Sequence, residues 1–246
     1  MLNTSHIKIL TIDIGGSNIK ATVLDYNGVP VSDYSRMETP QPATPAKVME
    51  RIQEVVKNFT EYDRISVGFP GYVKNGVVKT APNLGTEYWE NYDLQSSISA
   101  MLNKPAKVVN DADLQGVGIV SGKGLEMMVT LGTGFGTALL LDGELLPHFE
   151  ISHHPVKTDR DYDQYIGEKA YKDKGKEHWN ERMKKVIGIL KTVFNYDHLY
   201  ISGGNAKNLT FPLDDNMTIV SNREGIRGGA RLWRHEIAGD NNNQIS

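Results

Sequence analysis

Two glycine-rich segments carry the residue types that can hold phosphate: Asp13-Ile14-Gly15-Gly16-Ser17-Asn18-Ile19-Lys20 and Gly132-Thr133-Gly134-Phe135-Gly136-Thr137. Without Cβ atoms, backbone N–H groups can come close to phosphate oxygens, and the chain can take the positive φ values that concave amide nests use. Each segment is predicted to sit in a β-hairpin. An apolar run from Ile7 to Ile14 ends at the first glycines, a second extended run spans Ile19 to Tyr26, and Asn27-Gly28 is a tight-turn pair. The second copy repeats the plan, with Met127 to Leu131 coming in, Thr137 to Leu141 going out, and Asp142-Gly143 turning next. The repetition points to an internal duplication whose two loops can grip one polyanion. A dinucleotide fingerprint needs a helix directly after its glycines, and the β-rich Ile19-Lys20-Ala21-Thr22-Val23 excludes it. There is no Walker lysine-serine pair.

The elements that must position these loops alternate between strand and helix. Val31 to Met37 reads as a third strand, and Pro45 opens a helix that closes near Phe59, with Val48, Ile52, Val55, Val56 and Phe59 on its apolar face. Ile65 to Phe69 is a short buried strand, Asn75-Gly76 a further hairpin turn, and Lys107 to Val109 a strand ending at Asn110-Asp111. Ligands of open α/β sheets bind at such strand C-termini. Ala112 to Val120 reads as a short helix whose Gly116 and Gly118 suggest close packing, with a domain hinge there. Helices are expected over Tyr162 to Lys174 and Trp179 to Phe194, then a strand from Leu199 to Ser202. The expected domains are 1–111 and 112–223, with a final helix, Glu224 to Ile237, returning to the first. The tail Asn241-Asn242-Asn243-Gln244 is expected to fray.

With 246 residues, the chain can build one large domain or two modest ones. A net charge of −3 gives no reason to invoke nucleic acid or a membrane surface. Met1 to Leu10 lacks the apolar core of a signal peptide, so the expected location is cytoplasmic. The absence of cysteine rules out disulfides and a cysteine-rich structural zinc site. His148, His153 and His154 lack a recognised zinc spacing and read as sugar-binding or surface residues.

Taken in order, Asp13 to Lys20, Asn110-Asp111-Ala112-Asp113, Leu131 to Gly136 and Ser202-Gly203-Gly204-Asn205 resemble the ROK family of sugar kinases, from about Lys8 to Trp233. Within it, Phe194-Asn195-Tyr196-Asp197-His198-Leu199-Tyr200-Ile201 is most similar to the polyphosphate glucokinase branch. The resemblance implies an α/β fold of the actin-like ATPase (ribonuclease H-like) type, duplicated, with two domains flanking a cleft. It implies a homodimer as well. Transcriptional repressors share the fold but need an added DNA-reading segment, and none precedes the first strand here.

Phosphoryl transfer to a hydroxyl needs one carboxylate placed to receive the hydroxyl proton, and Asp111 is assigned that role. An ordinary aspartate, with a pKa of about 3.9, is a weak base that acts late, as the hydroxyl becomes acidic. Asn110 can both donate hydrogen bonds to sugar hydroxyls and accept them. Asp113 points away from residue 111 on a helix and reads as a cap or surface charge. By similarity to the family, Asp13 holds Mg²⁺ through water beside Gly15, Gly16, Ser17 and Asn18. Lys20 either reaches phosphate or covers the outer face of the hairpin. Glu150-Ile151-Ser152-His153 resembles the family's Glu-x-Gly-His sugar segment, and a Cβ on Ser152 is expected to strain a left-handed backbone there. Asp163 takes the place of a sugar-binding glutamate, and Pro70-Gly71 the place of a turn that offers backbone groups to the sugar. Gly132, Thr133 and Gly134 form the second phosphate loop, and Gly203-Gly204 matches the adenosine motif.

Lys169, Lys172, Lys174, Lys176, Arg182, Lys184 and Lys185 alternate with acids and read as a salt-bridged face, not a polyphosphate track. The implied activity is transfer of a phosphoryl group from polyphosphate or ATP to the 6-hydroxyl of glucose, with Mg²⁺. Two alternatives stay open: a weakly catalytic sugar or nucleotide sensor, and a kinase for mannose or an N-acetylhexosamine.

Overall fold

A computed structural model describes residues 6–221, 225–234, 236 and 237. The chain divides into two compact units, Met1–Gly118 with Gly225–Ser246, and Ile119–Glu224. The division falls after Gly118 and not after Asp111, because the helix that starts at Asp111 is buried within the first unit.

In the first unit β1 (Lys8–Ile14), β2 (Asn18–Asp25) and β3 (Ser35–Glu38) form an antiparallel meander. Helix α1 (Pro45–Val56) buries Val48, Ile52, Val55 and Val56, the spacing of a helix that covers a sheet. β4 (Arg64–Phe69), the hairpin β5 (Val73–Lys74) and β6 (Val77–Val78), helices α2 (Thr86–Trp89) and α3 (Leu94–Leu102), and β7 (Ala106–Asn110) follow. β4 pairs parallel to β1, and β7 parallel to β4, giving the order β3-β2-β1-β4-β7. The third strand is shorter than the sequence suggests. Ser32 interrupts its start: its hydroxyl accepts from the Val23 N–H (2.8 Å) and lies 3.2 Å from the Thr22 hydroxyl.

Helix α4 (Asp111–Ile119) buries Ala112, Asp113, Leu114, Gly116, Val117 and Gly118. A Cβ on Gly68 of β4 would lie 2.9 Å from Leu114, and one on Gly228 would lie 1.8 Å from the Leu114 carbonyl. With neighbours on both sides, Asp113 is buried, which corrects its reading as a surface charge. The C-terminal segment returns to this unit: Trp233 and Ile237 pack on Ile9 and Leu24, and the Trp233 indole donates to Ser66 (2.9 Å). Gly228–Arg231 is a short helix there, and Glu224 and the tail from Asn241 lie outside the described residues.

The second unit repeats the plan. β8 (Leu125–Leu131), β9 (Phe135–Leu141) and β10 (Glu144–Leu145) form the antiparallel meander. After a short hairpin, β11 (Pro155–Lys157) and β12 (Arg160–Asp161), come α5 (Tyr162–Ile166) and α6 (Glu168–Phe194). β13 (His198–Ser202) then runs parallel to β8, and β14 (Met217–Ile219) parallel to β13. The order β10-β9-β8-β13-β14 matches that of the first sheet strand for strand, as the paired glycine segments predicted. Helix breaks differ from expectation because two glycines decide them. Gly167 is extended (φ −62°, ψ 174°) and splits α5 from α6 inside the first expected helix, while Gly175 (φ 76°, ψ 166°) is non-helical and divides α6 in two where the sequence ended that helix, after Lys174.

Candidate active site

In the first unit the candidate residues gather at the C-terminal ends of three adjacent strands. β1 pairs Asp13 with Gly68 of β4, and β4 pairs Phe69 with Asn110 of β7. Asp111 follows directly on β7, and Gly71 comes one residue after Pro70, just past the end of β4. The Asn110 amide donates to the Gly71 carbonyl (3.0 Å), while its Oδ1 accepts from the Ala112 N–H (2.8 Å) and so caps α4. Asp111 Oδ1 accepts the same Ala112 N–H (2.8 Å), which fixes the carboxylate at the first turn of the helix. Gly71 has no room for a side chain, since a Cβ would sit 2.1 Å from the Thr80 carbonyl oxygen.

The first glycine loop is closed by the Gly15 N–H bonding the Asn18 carbonyl (2.9 Å). Gly15, Gly16, Gly132 and Gly134 all avoid the left-handed region, contrary to the expectation of positive φ. Close approach favours glycine at two of them: a Cβ on Gly15 would meet the Asn18 oxygen at 3.0 Å and one on Gly134 the Asp163 carboxylate at 2.9 Å, while Gly132 has open space. Lys20 faces Asp13 across the hairpin with its ammonium 3.7 Å from the carboxylate, so it covers the acid at the loop. Burial pushes the Asp13 pKa up, and Lys20 opposes the shift. Two residues of this loop escaped sequence reasoning. Thr39 donates its hydroxyl to the Gly15 carbonyl (2.6 Å), and Arg36 donates to the Asn18 side chain (2.9 Å). Their signal is register, because β3 places Arg36 opposite Lys20.

The second unit holds the second glycine loop and the Glu150–His153 segment. The Gly132 N–H bonds the Gly134 carbonyl (3.1 Å), and the Gly203-Gly204 turn docks on the start of the loop. The Asn205 N–H donates to the Leu131 carbonyl (2.9 Å). Gly203 (φ 96°) must be glycine, since a Cβ would come within 2.3 Å of the Leu131 oxygen. Around Gly204, by contrast, there is open space.

Glu150 bonds His148 (2.6 Å) and lies 3.5 Å from His153, which is itself 3.8 Å from Asp161. His154 sits by the Tyr162 ring, and among the described residues no group of three or more His, Cys, Asp or Glu side chains is arranged to hold a metal. Ser152 lies in one turn of 3-10 helix (Ile151–His153) outside the left-handed region, so the expected backbone strain does not arise. Asp163 accepts the Phe135 N–H at 2.6 Å. Burial raises its pKa, opposed by that hydrogen bond and by His153. Asp161, 3.8 Å from the predicted His153, was missed because only the folded loop brings it within reach.

Along α6, Lys172 pairs with Glu168 (2.7 Å), Arg182 donates to the Tyr165 carbonyl (2.9 Å) and Lys184 lies over the Phe211 ring. Among the described residues, no helix is long and apolar enough to cross a membrane.

The comparisons with known proteins agree with this arrangement. The ROK family matches residues 9–154. A polyphosphate glucokinase of Mycobacterium leprae (strain TN) is 34% identical over 245 residues, covering 92% of this chain and 75% of the relative. One from Mycobacterium tuberculosis (strain ATCC 25177 / H37Ra) is 33% identical over 237 residues, covering 89% and 88%. Among solved structures, an inorganic polyphosphate/ATP-glucomannokinase from Arthrobacter sp. strain KM superposes with a TM-score of 0.83 at 28% identity, covering 94% of this chain and 99% of that one. A likeness to a ROK glucokinase from Streptomyces griseus (TM-score 0.74, 18% identity; 93% of this chain and 99% of that one) supports the fold. With the duplicated sheets, both glycine loops and more than half its length matched, the chain belongs to the ROK family and has its actin-like ATPase fold.

Proposed function

We propose that the protein is a sugar kinase that transfers a phosphoryl group from polyphosphate or ATP to the 6-hydroxyl of glucose. The observation that carries this reading is the placement of Asp111, at the end of β7 and the first turn of α4, next to an Asn110 already anchored to Gly71. The match to polyphosphate glucokinases over nearly the whole chain supports the donor and the acceptor. In this reading Asn110 and the Gly71 turn orient the sugar in the first unit, and Asp111 takes the proton of the attacking hydroxyl as the bond to phosphorus forms. Glu150 and His153 bind hydroxyls in the second unit, with His148 and Asp161 fixing their orientation. The loops at Gly15-Gly16 and Gly132-Thr133-Gly134 offer N–H groups to phosphate, and the Gly203-Gly204 turn leaves room for an adenosine at Gly204.

Asp13 fits a Mg²⁺ site of the water-mediated kind. It offers one half-buried carboxylate at the end of β1, with the exposed Ser17 four residues further along the chain, and Mg²⁺ usually keeps several waters while binding one or two carboxylates plus substrate phosphates. Bound there, the ion would neutralise phosphate charge. Lys20, beside Asp13, supplies a fixed cation on the same hairpin. A cytoplasmic homodimer that engages neither nucleic acid nor membrane belongs to the same reading.

Purified protein incubated with Mg²⁺, glucose and either donor is expected to form glucose 6-phosphate, and chelation of the metal is expected to stop it. Glucose binding without phosphorylation of any sugar by either donor would instead establish a sensor. Similarity to a protein named for glucose and mannose supports one further reading, in which mannose is also phosphorylated. Comparing kcat/KM for the two sugars decides that point.

A further inference from the structure

The side chain of Asp163 is turned toward the second glycine loop. Its Oδ1 accepts the Phe135 N–H at 2.6 Å, and the Gly134 carbonyl of that same peptide unit accepts the Gly132 N–H at 3.1 Å. A carboxylate, a peptide and a second amide therefore form one hydrogen-bonded chain through the turn, an arrangement in which each bond polarises the next. A Cβ on Gly134 would lie 2.9 Å from both carboxylate oxygens, so the loop rests against the acid.

The elements carrying Asp163 hold the loop at further points. The Glu168 N–H donates to the Thr133 carbonyl (3.2 Å), and Phe135 stacks on Tyr162 with ring centroids 5.6 Å apart. At the other end of α5, Asp161 forms a capping box with Gln164 and lies 3.8 Å from His153. Among the described residues, the amides of Thr133 and Gly134 meet no acceptor, so these two remain for an anion.

We propose that Asp163 is a positioning residue of the second glycine loop, acting on the phosphoryl donor through the Phe135–Gly134 peptide, and is not a ligand of the sugar. This deepens the kinase reading and rests on it for the identity of the donor.

The test uses the full chain as wild type, Asp163→Ala and Asp163→Asn, since asparagine keeps an acceptor for the Phe135 N–H. Loss of a hydrogen bond to a charged group predicts that Asp163→Ala weakens tripolyphosphate binding and raises the donor KM about tenfold or more. The glucose KM should stay within about twofold, which separates donor from acceptor binding. Asp163→Asn should restore most donor affinity, and hydrogen exchange at the Phe135 amide should quicken only in the alanine variant. Should the alanine variant fold poorly, Asp163→Ser, whose shorter hydroxyl cannot span to the amide, takes its place.

A raised glucose KM with donor binding intact would overturn the assignment, as would Phe135 exchange unchanged from wild type. A wild type that binds tripolyphosphate but phosphorylates no sugar would overturn the kinase reading alone, because probe binding and Phe135 exchange still decide the role of Asp163. A wild type that does not bind tripolyphosphate overturns both.

Discussion

The Asn110 side chain donates to the carbonyl of Gly71 at 3.0 Å, joining the end of β7 to the turn after β4. The same side chain caps α4 through the Ala112 N–H, so one residue sets both the turn after β4 and the helix that carries Asp111. Asn110→Asp keeps the cap but places a carboxylate against the Gly71 carbonyl. It should cost about 1–3 kcal/mol of stability in denaturant titrations and raise the glucose KM. An unchanged glucose KM would separate the turn from the sugar.

Asp111→Asn retains the acceptor for the Ala112 N–H and should fold as wild type. Removal of a general base predicts a loss of about 10²-fold or more in kcat. Glucose affinity, measured by calorimetry, should hold. Wild-type turnover in this variant would remove Asp111 from the chemistry.

Gly203 and Gly204 should respond in opposite ways to alanine. At Gly203 the backbone is left-handed and the methyl would meet three backbone atoms of Leu131 at 2.3–2.6 Å, so a loss of roughly 3 kcal/mol or more is expected by thermal melting. Gly204→Ala has open space and should fold normally. If the turn receives adenosine, that variant raises the KM for ATP and leaves the KM for polyphosphate unchanged. Equal effects on both donors would argue against an adenosine slot.

Glu126, fully buried on β8, sets a pH dependence. Its carboxylate accepts N–H groups of Ser121 (2.7 Å), Gly122 (2.7 Å) and Lys123 (3.2 Å), and the Tyr200 hydroxyl (2.9 Å). Burial alone would raise its pKa, but these donors outweigh burial and hold it below the ordinary 4.5. A lowered folded-state pKa means that stability is fully present above the unfolded value and is lost as pH falls through the folded one. Glu126→Gln should therefore lose roughly 2 kcal/mol or more at pH 7, with the gap to wild type closing below pH 4.5. Parallel unfolding curves from pH 7 to pH 3 check this, and a constant gap would refute it.

Much of this protein could be read directly from its residues. Apolar runs ending in glycine, tight-turn pairs such as Asn75-Gly76 and Asp142-Gly143, and the buried face of α1 are local signals, because turn geometry and amphipathic spacing depend on near neighbours. They set the duplicated meander and put Asn110-Asp111 at a strand end. What they left out depends on residues far apart in the chain. Asp113 is buried on α4, a helix that Gly68 and Gly228 let its neighbours approach closely, and Gly203 is fixed by the backbone of Leu131. Asp163 meets Phe135, 28 positions earlier, only once α5 lies beside the loop. Sequence thus determined which residue types were available and which strands would carry them. Tertiary packing decided which atoms face one another, because contact distance and desolvation are properties of the folded chain alone.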